Sequence, residues 1–383
     1  MSSFCYNFPW KERKTTMKQF LKFSRPWVLL NPGPVNVTER VRQTLLQPDI
    51  CHREKEFSTI LKEVRGKILK IFGISKTHTV AVLSGSGTTA LEAMLSSFAN
   101  ENKPILVLSN GVYGERIKNI LEIYDTPVEV LTSPPGGFPD PGKIEAILKN
   151  NSSLHGIAMV HHETSSGMLN PIATVGALAK KYNKTFLVDA ISSLGAETID
   201  FKKYGVAFCA GTSGKCLHGF PGVSFVILSK KEAQKLKNQK RRTLCLDLSS
   251  TLEWEDRNET PFTPAVQIFY AFNKALDELK EEGLANRIKD YAQKSMLLEE
   301  GFIELGLNFL VEKKVRSHVL TALWLPKRIS YERLHDELKK EGFVIYAGQS
   351  GFKNKIFRIA NLGDVKPQEL RRFLFHLKRI LAL

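Results

Sequence analysis

Seven short apolar runs between Thr79 and Ser229 alternate with stretches of helical length, and this alternation constrains the fold more than any other feature of the chain. The runs are TVAVL (79–83), PILVLS (104–109), PVEVLT (127–132), GIAMVH (156–161), TFLVDA (185–190), VAFCAG (206–211) and SFVILS (224–229). They are nearly continuous rather than apolar at every second residue, as strands covered on both faces are. Segments 89–98, 115–124, 142–149 and 174–182 carry helical patterning between them. The expectation is an α/β domain with a mostly parallel sheet. Long helices are read over 264–306, then further strands (VLTALWL, FVIYAG, IFRIAN) framed by helices over 331–341 and 367–381. That change of pattern predicts a smaller C-terminal α+β domain. The chain has 383 residues, and single cores stop growing near ~250–300 residues, which also favours two domains. The expected division is a tail over 1–24, a large domain over 25–270 and a small domain over 271–383, with the boundary between about 255 and 285.

No apolar run approaches the roughly 20 residues that span a bilayer, so a soluble protein without a membrane role is expected. The first 16 residues lack the apolar stretch of a secretion signal. Lys and Arg outnumber Asp and Glu by 55 to 39, a formal charge of +16. Such a surface attracts anions. The basic residues are dispersed, and no zinc-finger spacing or RRM-type aromatic motif accompanies them, so small anionic substrates are read in preference to nucleic acid. The five cysteines, Cys5, Cys51, Cys209, Cys216 and Cys245, include no C-x-x-C pair, which fits a reducing, cytoplasmic setting. Cys216, beside Lys215, reads as a small buried thiol.

Three segments carry candidate chemistry. In LSGSGTTALEA a strand gives way to a helix, so Gly85, Ser86, Gly87 and Thr88 sit at a helix N-terminus, where free N–H groups and the helix dipole bind phosphate. The same segment fits the dinucleotide fingerprint G-x-G-x-x-A. The next strand, however, ends in Ser109 and Asn110, where a nucleotide site wants an acidic residue for the ribose. A capped tight turn remains an alternative. In TFLVDAISS, Asp189 closes a strand at the end where α/β proteins bind ligands; it suits a pyridine nitrogen, and equally an N-cap or a metal. In AGTSGKCLHGFPG, Lys215 follows a strand and a short turn. Desolvation there would lower its pKa and free its amine to condense with an aldehyde, with Thr212 and Ser213 as further phosphate donors. Alone, Lys215 reads as a solvated loop lysine. One ligand bearing a phosphate, an aldehyde and a ring nitrogen accounts for all three segments.

The ordered set LLNPGPVNVTERV, GSGTTALEA, NGVYGER, HHETSSGMLNPI, VDAISSLGA, SGKCLHGFPGVSFVI, FTPAVQIFYAF and FRIANLG, spanning Leu29 to the C-terminus, resembles the class V aminotransferases of the pyridoxal 5'-phosphate (PLP) fold type I. Within that class NGVYGER, HHETSSGMLNPI, KCLHGFPGVSFVI and GFVIYAG are most similar to the 2-aminoethylphosphonate:pyruvate transaminases, with alanine- and serine-glyoxylate aminotransferases as near relatives. The resemblance implies a PLP-dependent transferase fold and a homodimer with shared active sites. It also implies ping-pong transfer of an amino group from a small anionic donor, 2-aminoethylphosphonate, to the keto acid pyruvate. By the same resemblance Lys215 would hold PLP as a Schiff base and Asp189 would pair with its ring nitrogen. Ser86, Gly87, Thr88 and Thr212 would hold its phosphate, Tyr113 would stack on its ring, and Thr164 would lie near its phenolic oxygen. Thr263 would reach the phosphate from the neighbouring subunit, although it also reads as an N-cap. Arg358, with Arg53, would bind the donor's acidic group.

Two positions depart from the pattern. CHREKEF (51–57) places His52 and Arg53 as the glyoxylate enzymes do, and Gly214 stands where the families have Asn or Gln, which removes a donor that neighbouring groups would replace. A PLP-dependent lyase or desulfurase, which would need a mobile cysteine, and a nucleic-acid-binding protein are the rival readings. His155, His161, His162 and Glu163 do not fit H-E-x-x-H, and neighbours on a strand face opposite ways, so no metal site is read.

Overall fold

The computed structural model describes residues 27–382; the expected tail over 1–24 lies outside them. Each of the seven apolar runs is a strand: β1 (His78–Gly85), β2 (Ile105–Ser109), β3 (Val128–Thr132), β4 (Gly156–Val160), β5 (Thr185–Asp189), β6 (Val206–Thr212) and β7 (Gly222–Ser229). They form one sheet in the order β1-β7-β6-β5-β4-β2-β3. β7 runs antiparallel to both its neighbours, and the remaining pairings are parallel. This topology brings the carboxyl ends of β1, β2, β4, β5 and β6 to a single edge of the sheet.

Helices cover both faces, which is why the strands carry apolar residues at successive positions. On one face α1 (Lys55–Ile71), α4 (Ile172–Lys181) and α5 (Val266–Glu282) bury Phe57, Leu61, Val175, Phe269 and Phe272 against the sheet. On the other, α2 (Gly87–Phe98) and α3 (Val112–Ile123) bury Ala90, Met94, Ile117 and Leu121. The outer strand β1 is shielded by a buried carboxylate: Glu255 Oε1 accepts the Val82 N–H at 2.8 Å. That bond occupies an edge donor that another chain would otherwise pair with.

α5 ends at Gly283, whose φ of +85° turns the chain into α6 (Leu284–Glu304). Residue 270 is therefore inside α5, whose apolar face belongs to the sheet core, whereas Leu298 and Phe302 of α6 join a separate cluster with Leu334, Phe343, Phe373 and Leu377. We propose the domain boundary at Gly283. Val28 and Leu30 also lie in this second cluster, because Val28–Leu29 pairs in parallel with Phe343–Val344. The run FVIYAG is consequently two short strands rather than the single one expected. Its first half pairs with the N-terminal segment. Its second half, Tyr346–Ala347, joins the antiparallel sheet in which Ile356–Ala360 lies between it and Leu320–Trp324.

Candidate active site

The carboxyl edge of the sheet carries a cavity of about 200 Å³ lined by Ser86, Gly87, Thr88, Tyr113, Thr164, Asp189 and Lys215, together with Arg116 and His162. Seven sequence-derived residues from five separate segments thus share one enclosure. The reason is topological: each ends or follows a strand that finishes at this edge, and in open α/β sheets ligands bind there.

The two helix N-termini at the cavity differ in how they are finished. α2 begins at Gly87 after Ser86 with no side-chain cap, so its first N–H groups face the cavity. α3 begins after Gly111, which has no side chain, and a distant carboxylate substitutes for a cap. Glu163, fully buried, accepts the N–H groups of Tyr113 at 3.1 Å and Gly114 at 3.2 Å, and that of Ser165 at 3.2 Å. The Ser165 hydroxyl also donates to it. One helix dipole is therefore satisfied internally, and the other is left to attract an anion.

Asp189 Oδ1 accepts the Ile191 N–H at 2.9 Å. Burial pushes this carboxyl up to about 6, and Glu163 adds to the rise while Arg116 and Lys215 oppose it. It is a buried acid without a paired cation among the described residues, a state that a protonated ring nitrogen would relieve. The Lys215 amine is pulled down to about 8, mainly by burial, and donates to the Pro32 carbonyl. His162 lines the same cavity as a neutral ring: burial lowers it to about 4, its Nδ1 lies 3.0 Å from the Ser192 carbonyl and its Nε2 2.9 Å from the Ser317 hydroxyl.

Arg358 comes from the middle strand of the small sheet and is fully buried. Nε donates to the Ala347 carbonyl at 2.8 Å, and Nη1 donates to the Thr164 carbonyl at 2.9 Å and Gln349 Oε1 at 3.1 Å. Nη2 has no partner. A buried guanidinium nitrogen left without a partner makes Arg358 a candidate anion contact, linked to the cavity through the Thr164 carbonyl.

Four sequence-derived residues do not line this cavity: Arg358, which meets it through the Thr164 carbonyl, and Thr212, Thr263 and Arg53. The Thr212 hydroxyl donates to the Val223 carbonyl at 3.1 Å, within the β6–β7 pairing. Thr263 sits with Ser84, Thr89 and Pro264 around a separate hollow. Arg53 Nη1 donates to the Thr260 carbonyl at 2.7 Å, and its guanidinium lies over the Trp254 ring at 5.3 Å. Gly214 has a steric explanation: a Cβ there would lie 2.9 Å from Pro221 Cα, leaving no room for a side chain. Cys216 is fully buried, its thiol pushed up to about 12 by burial, and Sγ donates to the Ser192 carbonyl.

Three features at the site stand outside the sequence-derived set: Glu163 as a remote helix cap, the Pro32–Gly33 turn against Lys215, and Arg116. The last had a legible signal, since Tyr113 and Arg116 are three apart on one helix and therefore share a face. The guanidinium lies 4.7 Å from the Tyr113 ring centroid.

Residues 41–362 match the class V aminotransferase family. The chain is 34% identical over 349 residues to the 2-aminoethylphosphonate–pyruvate transaminase of Lysinibacillus sphaericus (strain C3-41), covering 90% of this chain and 94% of that one. It is 36% identical over 353 residues to the enzyme of the same name from Bacillus cereus (strain ATCC 10987), covering 91% and 96%. Among solved structures, an alanine–glyoxylate aminotransferase from Nostoc sp. superimposes with a TM-score of 0.88 at 24% identity over 95% of this chain and 98% of that one, a likeness of fold. An aspartate aminotransferase of subgroup IV from Thermus thermophilus gives 0.85 at 28% identity over 92% and 99%.

Proposed function

The chain belongs to the class V aminotransferases, which are PLP-dependent enzymes, and from that premise we propose that it transfers the amino group of 2-aminoethylphosphonate to pyruvate. The observation that carries the reading is Arg358, a buried guanidinium with one nitrogen unpartnered, bonded to the carbonyl of cavity-lining Thr164. Relatives at 34% and 36% identity that bear the phosphonate transaminase name support this donor over alanine or serine.

The residues present fit PLP. The open N-terminus of α2, with Ser86, Gly87 and Thr88, would hold the phosphate, and the buried Asp189 would face the ring nitrogen. Tyr113 would cover one face of the ring, and Lys215 would take the aldehyde. When bound, the cofactor supplies an electron sink for the charge left at the donor's carbon. Asp189 would keep that sink effective by holding the ring nitrogen protonated. Lys215 Nζ, lowered to about 8, is neutral often enough near pH 7–8 to take the proton from the amine-bearing carbon and return it. Arg358 orients the donor by its anionic end, which fixes the distance between that end and the reacting carbon.

The working form in this reading is a homodimer. Thr263 would reach the partner's cofactor phosphate, and Arg53 would steady the segment carrying it through the Thr260 carbonyl. No helix among the described residues is long and apolar enough to cross a membrane. The described cysteines are unpaired, which supports a cytoplasmic location. The test is to mix the coloured holoenzyme separately with 2-aminoethylphosphonate, alanine and serine. The phosphonate should bleach the visible cofactor band fastest, and pyruvate should restore it. Bleaching by alanine or serine alone would reassign the enzyme to the glyoxylate group.

A further inference from the structure

Arg116 is a cation in the cavity to which neither the family resemblance nor the roles of Lys215 and Asp189 give a task. Its Nη1 donates to Thr88 Oγ1 at 3.1 Å, at the first turn of α2. The Tyr113 ring supports its guanidinium from below, which limits where it can go. Among the described residues no carboxylate lies within ion-pair distance of it, whereas Arg65, Arg287 and Arg316 each have one. An unpaired guanidinium held against a helix N-terminus is arranged to meet an anion.

Resting on the PLP reading above, we infer that Arg116 is the side-chain cation that binds the cofactor's phosphate, completing the cradle formed by Ser86, Gly87 and Thr88. Charge requires such a residue. A phosphate monoester carries close to two negative charges at pH 7–8, and a helix terminus offers about half a positive one. Of the cavity-lining side chains only Arg116 and Lys215 are cationic, His162 being neutral, and the Lys215 amine is committed to the aldehyde. The position before Lys215 supplies nothing, since Gly214 has no space for a side chain. Thr212 and Ser213 give their hydroxyls to backbone carbonyls of 220–223. Thr88, now an acceptor for Arg116, would turn its hydroxyl proton to the phosphate while the guanidinium donates beside it.

Arg116 also borders the open hollow that Gln349 and Ser350 rim, so the competing assignment is the donor's phosphonate, and the experiment separates the two. Wild type, Arg116→Gln and Arg116→Lys are stripped of cofactor and titrated with PLP and with pyridoxal, which lacks the phosphate, by quenching of protein fluorescence. The expected result is a loss of PLP affinity in Arg116→Gln of roughly 10- to 100-fold, the range for a hydrogen bond between charged groups. Pyridoxal affinity should stay within about 2-fold and Arg116→Lys should fall between. Equal loss for both ligands in both variants would overturn the inference, as would unchanged PLP affinity with a raised KM for 2-aminoethylphosphonate. Wild-type protein that binds neither ligand would instead remove the cofactor reading itself.

Discussion

Glu163 and Tyr113 are 50 residues apart in sequence, and the carboxylate of the first accepts the backbone N–H of the second at 3.1 Å. The bond joins the hairpin that carries Thr164 to the helix that carries Tyr113 and Arg116, so one buried anion sets the position of the aromatic ring above the cavity. Glu163→Gln replaces an acceptor oxygen with an NH₂ group among N–H donors. We expect at least a ~10-fold loss of kcat/KM and a lower Tm, since an unsatisfied buried donor costs about 1–3 kcal/mol. Wild-type kinetics and melting in this variant would show that the carboxylate has no positioning role.

Lys215 should make cofactor loading pH-dependent. Burial lowers its amine to about 8, and only the neutral form attacks an aldehyde. The loading rate of the cofactor-free enzyme should rise about tenfold per pH unit below pH ~8 and level off above it. Stopped-flow absorbance across pH 6–10 measures this, and a plateau reached only near pH 10.5 would place the lysine in solvent.

Asp189 should destabilise the cofactor-free protein at neutral pH. Its folded value, about 6, lies above the usual 3.8, so the unfolded chain loses this proton first as pH rises. The cost is absent below pH ~3.8 and complete above pH ~6, where it reaches about 3 kcal/mol at most. Cofactor-free Asp189→Asn should therefore melt higher than wild type at pH 8 while losing turnover by several orders of magnitude. Equal Tm values at pH 8 would argue against a buried charge.

Gly33→Ala tests the approach of the N-terminal turn to Lys215. Gly33 has φ +123°, and a Cβ there would collide with the lysine ammonium. The variant should fold but take up cofactor poorly, because the lysine must leave its position. Full cofactor occupancy would show that Lys215 has another place to stand.

Arg358→Lys keeps the charge and removes the fork. The donor KM should rise roughly 10- to 100-fold while the KM for pyruvate rises less, because a dianionic phosphonate gains most from the unpartnered Nη2 that lysine cannot place. Steady-state kinetics with both substrates would reveal it; parallel rises in both KM values would mean that the arginine serves each substrate alike.

The sheet was legible because its strands are buried on both faces, and runs such as GIAMV and TFLVD leave no other element of that length. Ser86, Asp189 and Lys215 were legible as candidates as well, since each lies within a few residues of the end of an apolar run and strand ends are where such folds bind ligands. Less could be read where a residue's role depends on a partner far away in the chain. Glu163 looks like any polar residue in a strand-turn segment until Gly111 leaves a helix without a cap beside it. Thr212 reads as a phosphate donor, yet strand pairing turns its hydroxyl to the Val223 carbonyl.

Local patterning thus determined the layers, the edge that carries the cavity and several residues on that edge, because burial and helix polarity act over a few neighbouring positions. Tertiary structure alone decided that Val28–Leu29 would pair with Phe343–Val344, that Pro32 would meet Lys215, and that Arg116 would lie against Thr88. Those contacts join segments tens to hundreds of residues apart, and no periodicity in the chain encodes which distant surfaces fit together.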